Sequence, residues 1–352
     1  MKKEYDWNLK DANFTKDKGT VFSCFSCGGG STMGYKLAGF DVIGCCEIDP
    51  KMMDMYKLNH NPQYSFLMGV QDFAKLDEYP DDLYNLDILD GSPPCSSFSM
   101  AGNRDKDWGK KKKFREGQVE QVLDTLFFDF IDIGKKLQPK VIIAENVKGL
   151  LLGDAIKYVA EIIKAFDDAG YWVDFSLLNA SKMGVPQRRE RVFFYAIRKD
   201  LKCNFSDLFG ERPRLNLAFN QREIPYSEIR QEEGNDAAQR LAPKALPLWE
   251  KCLPGESLAV HHPTGSYFSA CLTHPDRAIH TITSNTDSHY DHIEPRYLLT
   301  KELLLGSSFP ADYNFNKQRP KYVMGMSVPP LMTKGVAEAI YKQWLVPNGD
   351  LI

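Results

Sequence analysis

The chain has 352 residues, 43% of them apolar, 12% aromatic and 26% charged, with a formal net charge of −3. Those proportions suit an ordinary globular protein of about two domains of roughly 150 residues each, and exclude global disorder or a collagen-like repeat. No apolar run approaches the roughly 18 residues of a membrane span, and the polar start has no secretory pattern, so no membrane partner is expected. With so little net charge, any contact with nucleic acid must come from a local basic patch. Eight cysteines without a secretory signal imply a reducing cytoplasm rather than a disulfide framework. Cys24-x-x-Cys27 is followed by no second pair at finger spacing, so no metal is expected there.

In chain order, Thr20–Phe25 reads as a buried strand, followed by a glycine turn and a helix from about Ser31. Asp41–Ile48, Leu86–Asp90 and Val141–Asn146 are further short apolar runs bounded by turn or charged residues. Val119, Val122, Leu123, Leu126, Phe127, Phe130 and Ile131 recur at helical spacing. A second helical stripe, Ile156, Val159, Ala160, Ile163 and Phe166, is stopped by Gly170. Tyr171–Leu178 and Arg191–Lys199 add two strands. Strands alternating with helices predict an α/β fold, a mostly parallel, doubly wound, Rossmann-like sheet. After about residue 200 prolines become frequent and helical periodicity weakens, which predicts a smaller inserted domain. A last helix, about Gly335 to Leu345, is expected to pack back on the first. The expected spans are 1–198, 199–322 and a returning segment 323–352.

Three places carry chemistry. Phe25 to Gly34 forms a strand end, a glycine turn and a helix start, where bare backbone approaches a ligand and helix amides point at it. Glu47, nineteen residues beyond Gly28, ends the second strand, where a carboxylate accepts ribose hydroxyls. Together they imply a nucleoside cofactor. Asp90-Gly-Ser-Pro-Pro-Cys95 follows the third strand, and two prolines hold a thiol rigidly at the carboxyl edge of the sheet, a nucleophile's position. Glu145 ends an apolar strand, which would favour its protonated form. Gln187-Arg-Arg-Glu-Arg191 opens another strand, on which Arg189 and Arg191 would share a face.

These motifs, in this order from Phe22 to Val328, resemble those of the cytosine-C5 DNA methyltransferase family, which uses S-adenosylmethionine. The likeness includes Pro-Pro-Cys95, Glu145-Asn-Val, Asn179 through Arg191, Arg277 to Asn285 and Gly325-Met-Ser-Val328. It departs at Gly69, where the family has an adenine-binding aspartate, at Ser96 (glutamine) and at Met326 (asparagine).

The resemblance implies that Cys95 attacks cytosine C6, with Glu145 at N3 and Arg191 and Arg189 as the arginines of the catalytic site. It implies that Phe25, Cys27, Gly28, Gly29, Gly30, Glu47, Ile48, Pro93, Leu126, Ser327 and Val328 line the S-adenosylmethionine site. The target base must be flipped out of double-stranded DNA. Ser97 and the basic run Arg104, Lys110, Lys111, Lys112, Lys113 and Arg115 would meet that DNA, the lysines and arginines through its phosphates. A monomer is expected, and a cognate restriction enzyme is the partner such enzymes allow. Three alternatives share the scaffold: a tRNA cytosine methyltransferase, use of a modified cofactor beside Met326, and a non-catalytic DNA-binding relic. The relic would be expected to lose Cys95, Glu145 or Arg191, and all three are present.

Overall fold

The computed structural model describes residues 3–94, 111–112, 121–122, 125–153, 155–201, 212–232, 239–267, 269–284 and 288–346. They gather into two compact units. The sheet unit comprises Asn13–Leu178, Glu190–Ala218 and Lys334–Ile352, and the second unit Met1–Ala12, Asn179–Arg189 and Phe219–Thr333.

The sheet unit begins β1 (Thr20–Cys24), α1 (Gly30–Leu37), β2 (Asp41–Glu47), α2 (Pro50–His60), β3 (Tyr64–Leu67), α3 (Val70–Phe73) and β4 (Ile88–Gly91). Then come β5 (Lys111–Lys112), β6 (Gln121–Val122), α4 (Leu126–Leu137), β7 (Val141–Val147), α5 (Ala155–Asp168) and β8 (Tyr171–Asn179). After β9 (Gln187–Arg188), which belongs to the second unit, β10 (Glu190–Arg198) returns to the sheet. The strand order is β3-β2-β1-β4-β7-β10-β8. Pairs from β3 to β7 are parallel, and β10 runs antiparallel to β7. Every residue of β4 and the first six of β7 are buried, so both sheet faces are covered.

Packing explains where the helices differ from expectation. The first stripe yields a helix only from Leu126, whereas Val122 sits in the strand β6, and Val119 and Leu123 lie outside the described residues. From Leu126 on the stripe is buried as expected, with Phe127, Phe130 and Ile131 almost wholly enclosed. Enclosing each such side chain contributes about 1.5–3 kcal/mol. In α5 the buried face is Ala155, Tyr158, Val159, Ile162 and Phe166, whereas Ile156, Ala160 and Ile163 are exposed. Tyr158, which is not part of the expected stripe, packs its ring edge-on against Phe127 and Phe128. Gly170, with φ at 93°, ends the helix as expected.

The units are cut differently from the expected spans. Residues 190–218 stay with the sheet because β10 pairs with β7 along its length. Residues 179–189 leave it because Gln187 is tied to the second unit's backbone, accepting from Ile282 N and donating to Gly306 O. The last helix is α9, which starts earlier than expected (Pro330–Ile340) and is followed by a π-helical turn, Tyr341–Leu345. That turn packs in the sheet unit as expected: Tyr341 meets Phe40 edge-on and Trp344 Nε1 donates to Arg214 O at 2.9 Å.

The second unit also contains α6 (Leu246–Trp249), the two-residue strands β11 (Cys271–Leu272), β12 (Ile279–His280) and β13 (His289–Tyr290), α7 (Thr300–Gly306) and α8 (Pro320–Met326). With so little regular structure, it is held by buried charge. Arg296, fully buried, pairs with Glu302 at 2.9 Å and Asp291 at 2.8 Å, and Tyr226 OH lies 2.9–3.0 Å from both carboxylates. Arg296→Ala leaves two buried carboxylates without this cation and should cost about 3–5 kcal/mol, read from urea midpoints. A loss below about 1 kcal/mol would show the network to be dispensable.

Beneath the sheet edge, Asp90 is buried and accepts hydrogen bonds from Ser23 Oγ at 2.8 Å and Tyr35 OH at 3.1 Å. Burial pushes its carboxyl pKa up to about 7 despite those two donors. Since the folded value lies above the unfolded one of about 3.9, its contribution to stability is full below pH 4 and is lost as pH rises through 7. Wild type should therefore lose up to about 1.4 kcal/mol per pH unit against Asp90→Asn between pH 4 and 7, and nothing further above 8. Parallel denaturation curves across that range would refute it.

Candidate active site

Where β1 ends, the backbone turns sharply. Phe25 (φ 55°) and Cys27 (φ 44°) adopt left-handed conformations, and Gly29 (φ 70°) opens α1. A Cβ on Gly29 would fall 2.2 Å from the His60 ring, so only glycine fits. His60, buried at the end of α2, backs this turn as a neutral ring, its pKa drawn down to about 3 by burial. Cys27 N donates to Glu47 Oε2 at 2.8 Å and Asp49 N to Glu47 Oε1 at 2.9 Å. Burial raises the Glu47 pKa, and the two amides oppose that rise. Each carboxylate oxygen keeps a further lone pair for a hydroxyl. Phe25 leans on Phe130 at 6.4 Å between ring centroids, and Leu126, almost fully buried, begins the same helix. Thus Phe25, Cys27, Gly28, Gly29, Gly30, Glu47 and Ile48 share one sheet edge.

At the neighbouring strand end, a Cβ on Gly91 would press to 2.5 Å from the Phe130 ring, which allows only glycine before the proline loop. Pro93 is buried, and its carbonyl accepts from Asn146 Nδ2 at 3.1 Å. Asn146 Oδ1 in turn accepts Val147 N at 2.8 Å. Asn146 thus ties the loop to β7, a role its place in the Glu-Asn-Val motif does not by itself reveal. Glu145 is not an isolated acid among apolar residues. Its Oε1 meets Arg191 Nε at 2.9 Å, with both side chains at most 15% exposed. Burial lowers the Arg191 pKa, and the Glu145 carboxylate opposes that.

Arg189 and Arg191 do not share a strand face. The extended segment breaks at Arg189, whose guanidinium donates to Ile282 O and Gly325 O within the second unit, each at 3.2 Å. Arg188 is likewise held there by Glu223 at 2.8 Å. Ser327 and Val328 are buried just beyond α8 in the second unit, and Met326 before them is 37% exposed. Cys95, Ser96, Ser97, Arg104, Lys110, Lys113 and Arg115 lie outside the described residues. Lys111 and Lys112 of the basic run form β5, antiparallel to β6. The sequence alone does not mark His60 or Asn146, because only the fold brings them to the turn and to the loop.

The chain matches the family model of C-5 cytosine-specific DNA methylases over residues 19–342. The type II methyltransferase M1.HphI of Haemophilus parahaemolyticus is 28% identical over 342 residues, covering 92% of this chain and 87% of that one. The type II methyltransferase M.FnuDI of Fusobacterium nucleatum is 33% identical over 66% of this chain and 58% of its own length. Among solved structures, a DNA modification methyltransferase encoded within an E. coli prophage matches with a TM-score of 0.67 at 18% identity, over 92% of this chain and 98% of that chain. At that identity the structural likeness speaks for the fold alone. On the family match, the chain belongs to the C-5 cytosine-specific DNA methylases and is a DNA cytosine-C5 methyltransferase with a Rossmann-like fold.

Proposed function

We propose that the enzyme methylates cytosine through a covalent adduct, with Cys95 as the nucleophile and Glu145 and Arg191 as the groups that polarise the base. The Glu145–Arg191 pair at 2.9 Å carries this reading, because it stands on the strand beside the loop that leads to Cys95. Cytosine C5 is a weak nucleophile until a thiolate adds at C6. Glu145 then bonds or protonates N3, and an Arg191 N–H holds the base carbonyl, so charge is met where it develops on the ring. Arg191 takes this part rather than Arg189, because Arg191 is the arginine paired with Glu145, whereas the Arg189 guanidinium donates to the carbonyls of Ile282 and Gly325. Loss of the C5 proton from the methylated adduct expels Cys95 and restores the aromatic ring.

S-Adenosylmethionine, when bound, supplies the electrophilic methyl group. The residues fit it: Glu47 keeps lone pairs for two ribose hydroxyls, and the Phe25–Gly30 turn offers bare backbone where β1 and β4 diverge. Double-stranded DNA is the substrate, with the target base flipped out and the second unit selecting the sequence around it. The names of the relatives support a cognate restriction enzyme. No helix among the described residues is long and apolar enough to cross a membrane, and a monomer acting on DNA in the cytoplasm fits that.

Cys95→Ala should abolish methylation while leaving DNA affinity within about threefold, because phosphate contacts carry most of it. DNA containing 5-fluorocytosine should trap wild type in a denaturant-stable adduct, since fluorine cannot leave as the proton does. An active enzyme that forms no adduct would refute the mechanism.

Neutralising Lys110 to Lys113 should weaken DNA binding and shallow its salt dependence by up to about four units of slope, with the methylated sequence unchanged. A changed sequence with an unchanged slope would show that this segment reads bases. Bisulfite sequencing alongside binding titrations in salt separates the two outcomes.

A further inference from the structure

A buried polar atom without a partner stands at the end of β3. This strand runs parallel to β2 with Leu67 opposite Glu47, so both chains leave the sheet at the same edge. Beyond it, Gly69 opens α3, its carbonyl accepting from Asp72 N and Phe73 N. A Cβ on Gly69 would lie 2.7 to 2.8 Å from Oε1, Cδ and Nε2 of Gln71. The Gln71 carboxamide therefore fills the space that a side chain at 69 would take. Its Oε1 is buried and has no hydrogen-bond partner among the described residues. A buried polar atom in this state calls for a physical explanation, and a ligand at this edge supplies one.

In an open parallel sheet a nucleoside lies across the carboxyl ends of the strands, its ribose on the acid that ends the second strand. With Glu47 holding the ribose, the base extends toward the next strand, which is β3. An amide offers one acceptor and two donors, and that pattern pairs with an adenine edge, the oxygen taking the exocyclic amine and the nitrogen facing a ring nitrogen.

We propose that Gln71 reads the adenine of the cofactor, its Oε1 accepting the exocyclic amine in place of the carboxylate absent at Gly69. This inference rests on the S-adenosylmethionine reading above. A carboxamide can turn to present either its oxygen or its nitrogen, so it also pairs with a 6-oxo purine, whereas a carboxylate at 69 would accept only from the 6-amino purine.

The test is calorimetric binding of S-adenosylhomocysteine and of S-inosylhomocysteine, which carries an oxygen in place of the amine. Wild type should bind the two compounds within about threefold of each other, because the carboxamide can turn its nitrogen to the oxygen. Gln71→Ala should bind both about tenfold more weakly, the worth of one buried hydrogen bond left unmade. Adding Gly69→Asp to Gln71→Ala, now that the space is free, should restore S-adenosylhomocysteine alone, a rescue that a purely structural role for Gln71 does not produce. A Gln71→Ala protein that keeps its affinity for both would overturn the inference while leaving the cofactor reading intact. Wild type that binds neither compound would overturn the cofactor reading, and this inference with it.

Discussion

Because β1, β2, β3, β4 and β7 run parallel, their carboxyl ends lie along one edge, and each loop leaving that edge meets its neighbours. The order in which strands are added to the sheet reverses between β1 and β4, which opens a crevice flanked by the glycine turn on one side and the proline loop on the other. Phe130 lies against both, packing on Phe25 and closing off the Cβ position of Gly91. The glycine turn and the proline loop therefore share one hydrophobic support. A shape change at that ring would be felt by both.

Around the crevice, main-chain amides and buried acids do the positioning. Glu47 accepts two amides, which draw Cys27 and Asp49 onto the same carboxylate and set the turn's conformation. Asn146 grips Pro93 O and its own neighbour's amide, so the proline loop leaves β4 in a single direction. Asp90 sits one layer below, bonded to β1 through Ser23 and to α1 through Tyr35. The links from Cys27 to Glu47, from Asn146 to Pro93 and from Ser23 and Tyr35 to Asp90 join segments twenty or more residues apart, in buried or half-buried surroundings where hydrogen bonds are stronger than in water.

The second unit uses a different economy of structure. Its strands are two residues long, and one hydrophobic cluster within it contains only seven buried residues, among them Leu258, Leu272 and Tyr290. The Arg296 network holds the segments that carry Tyr226, Asp291 and Glu302 without regular ladders. Such a frame leaves the intervening loops free to differ in sequence.

By itself the sequence established the alternation of strands and helices, the parallel sheet, the family and the order of its motifs, because short apolar runs, glycine turns and Pro-Pro-Cys95 are local signals. It also marked Glu47, Glu145 and Arg191, since polar residues that end apolar strands stand out in one dimension. Which residues those side chains meet was decided only in three dimensions. Arg189 and Arg191 are two residues apart, yet one bonds to carbonyls of the second unit and the other to Glu145. No periodicity distinguishes them, because the break between β9 and β10 depends on what each arginine finds to bond. The same holds for the buried face of α5, displaced from the expected stripe, and for Gln71, whose carboxamide stands where a side chain at Gly69 would be. Local pattern specifies an element and its exposed or buried tendency, whereas pairing of buried polar atoms is a property of the packed whole.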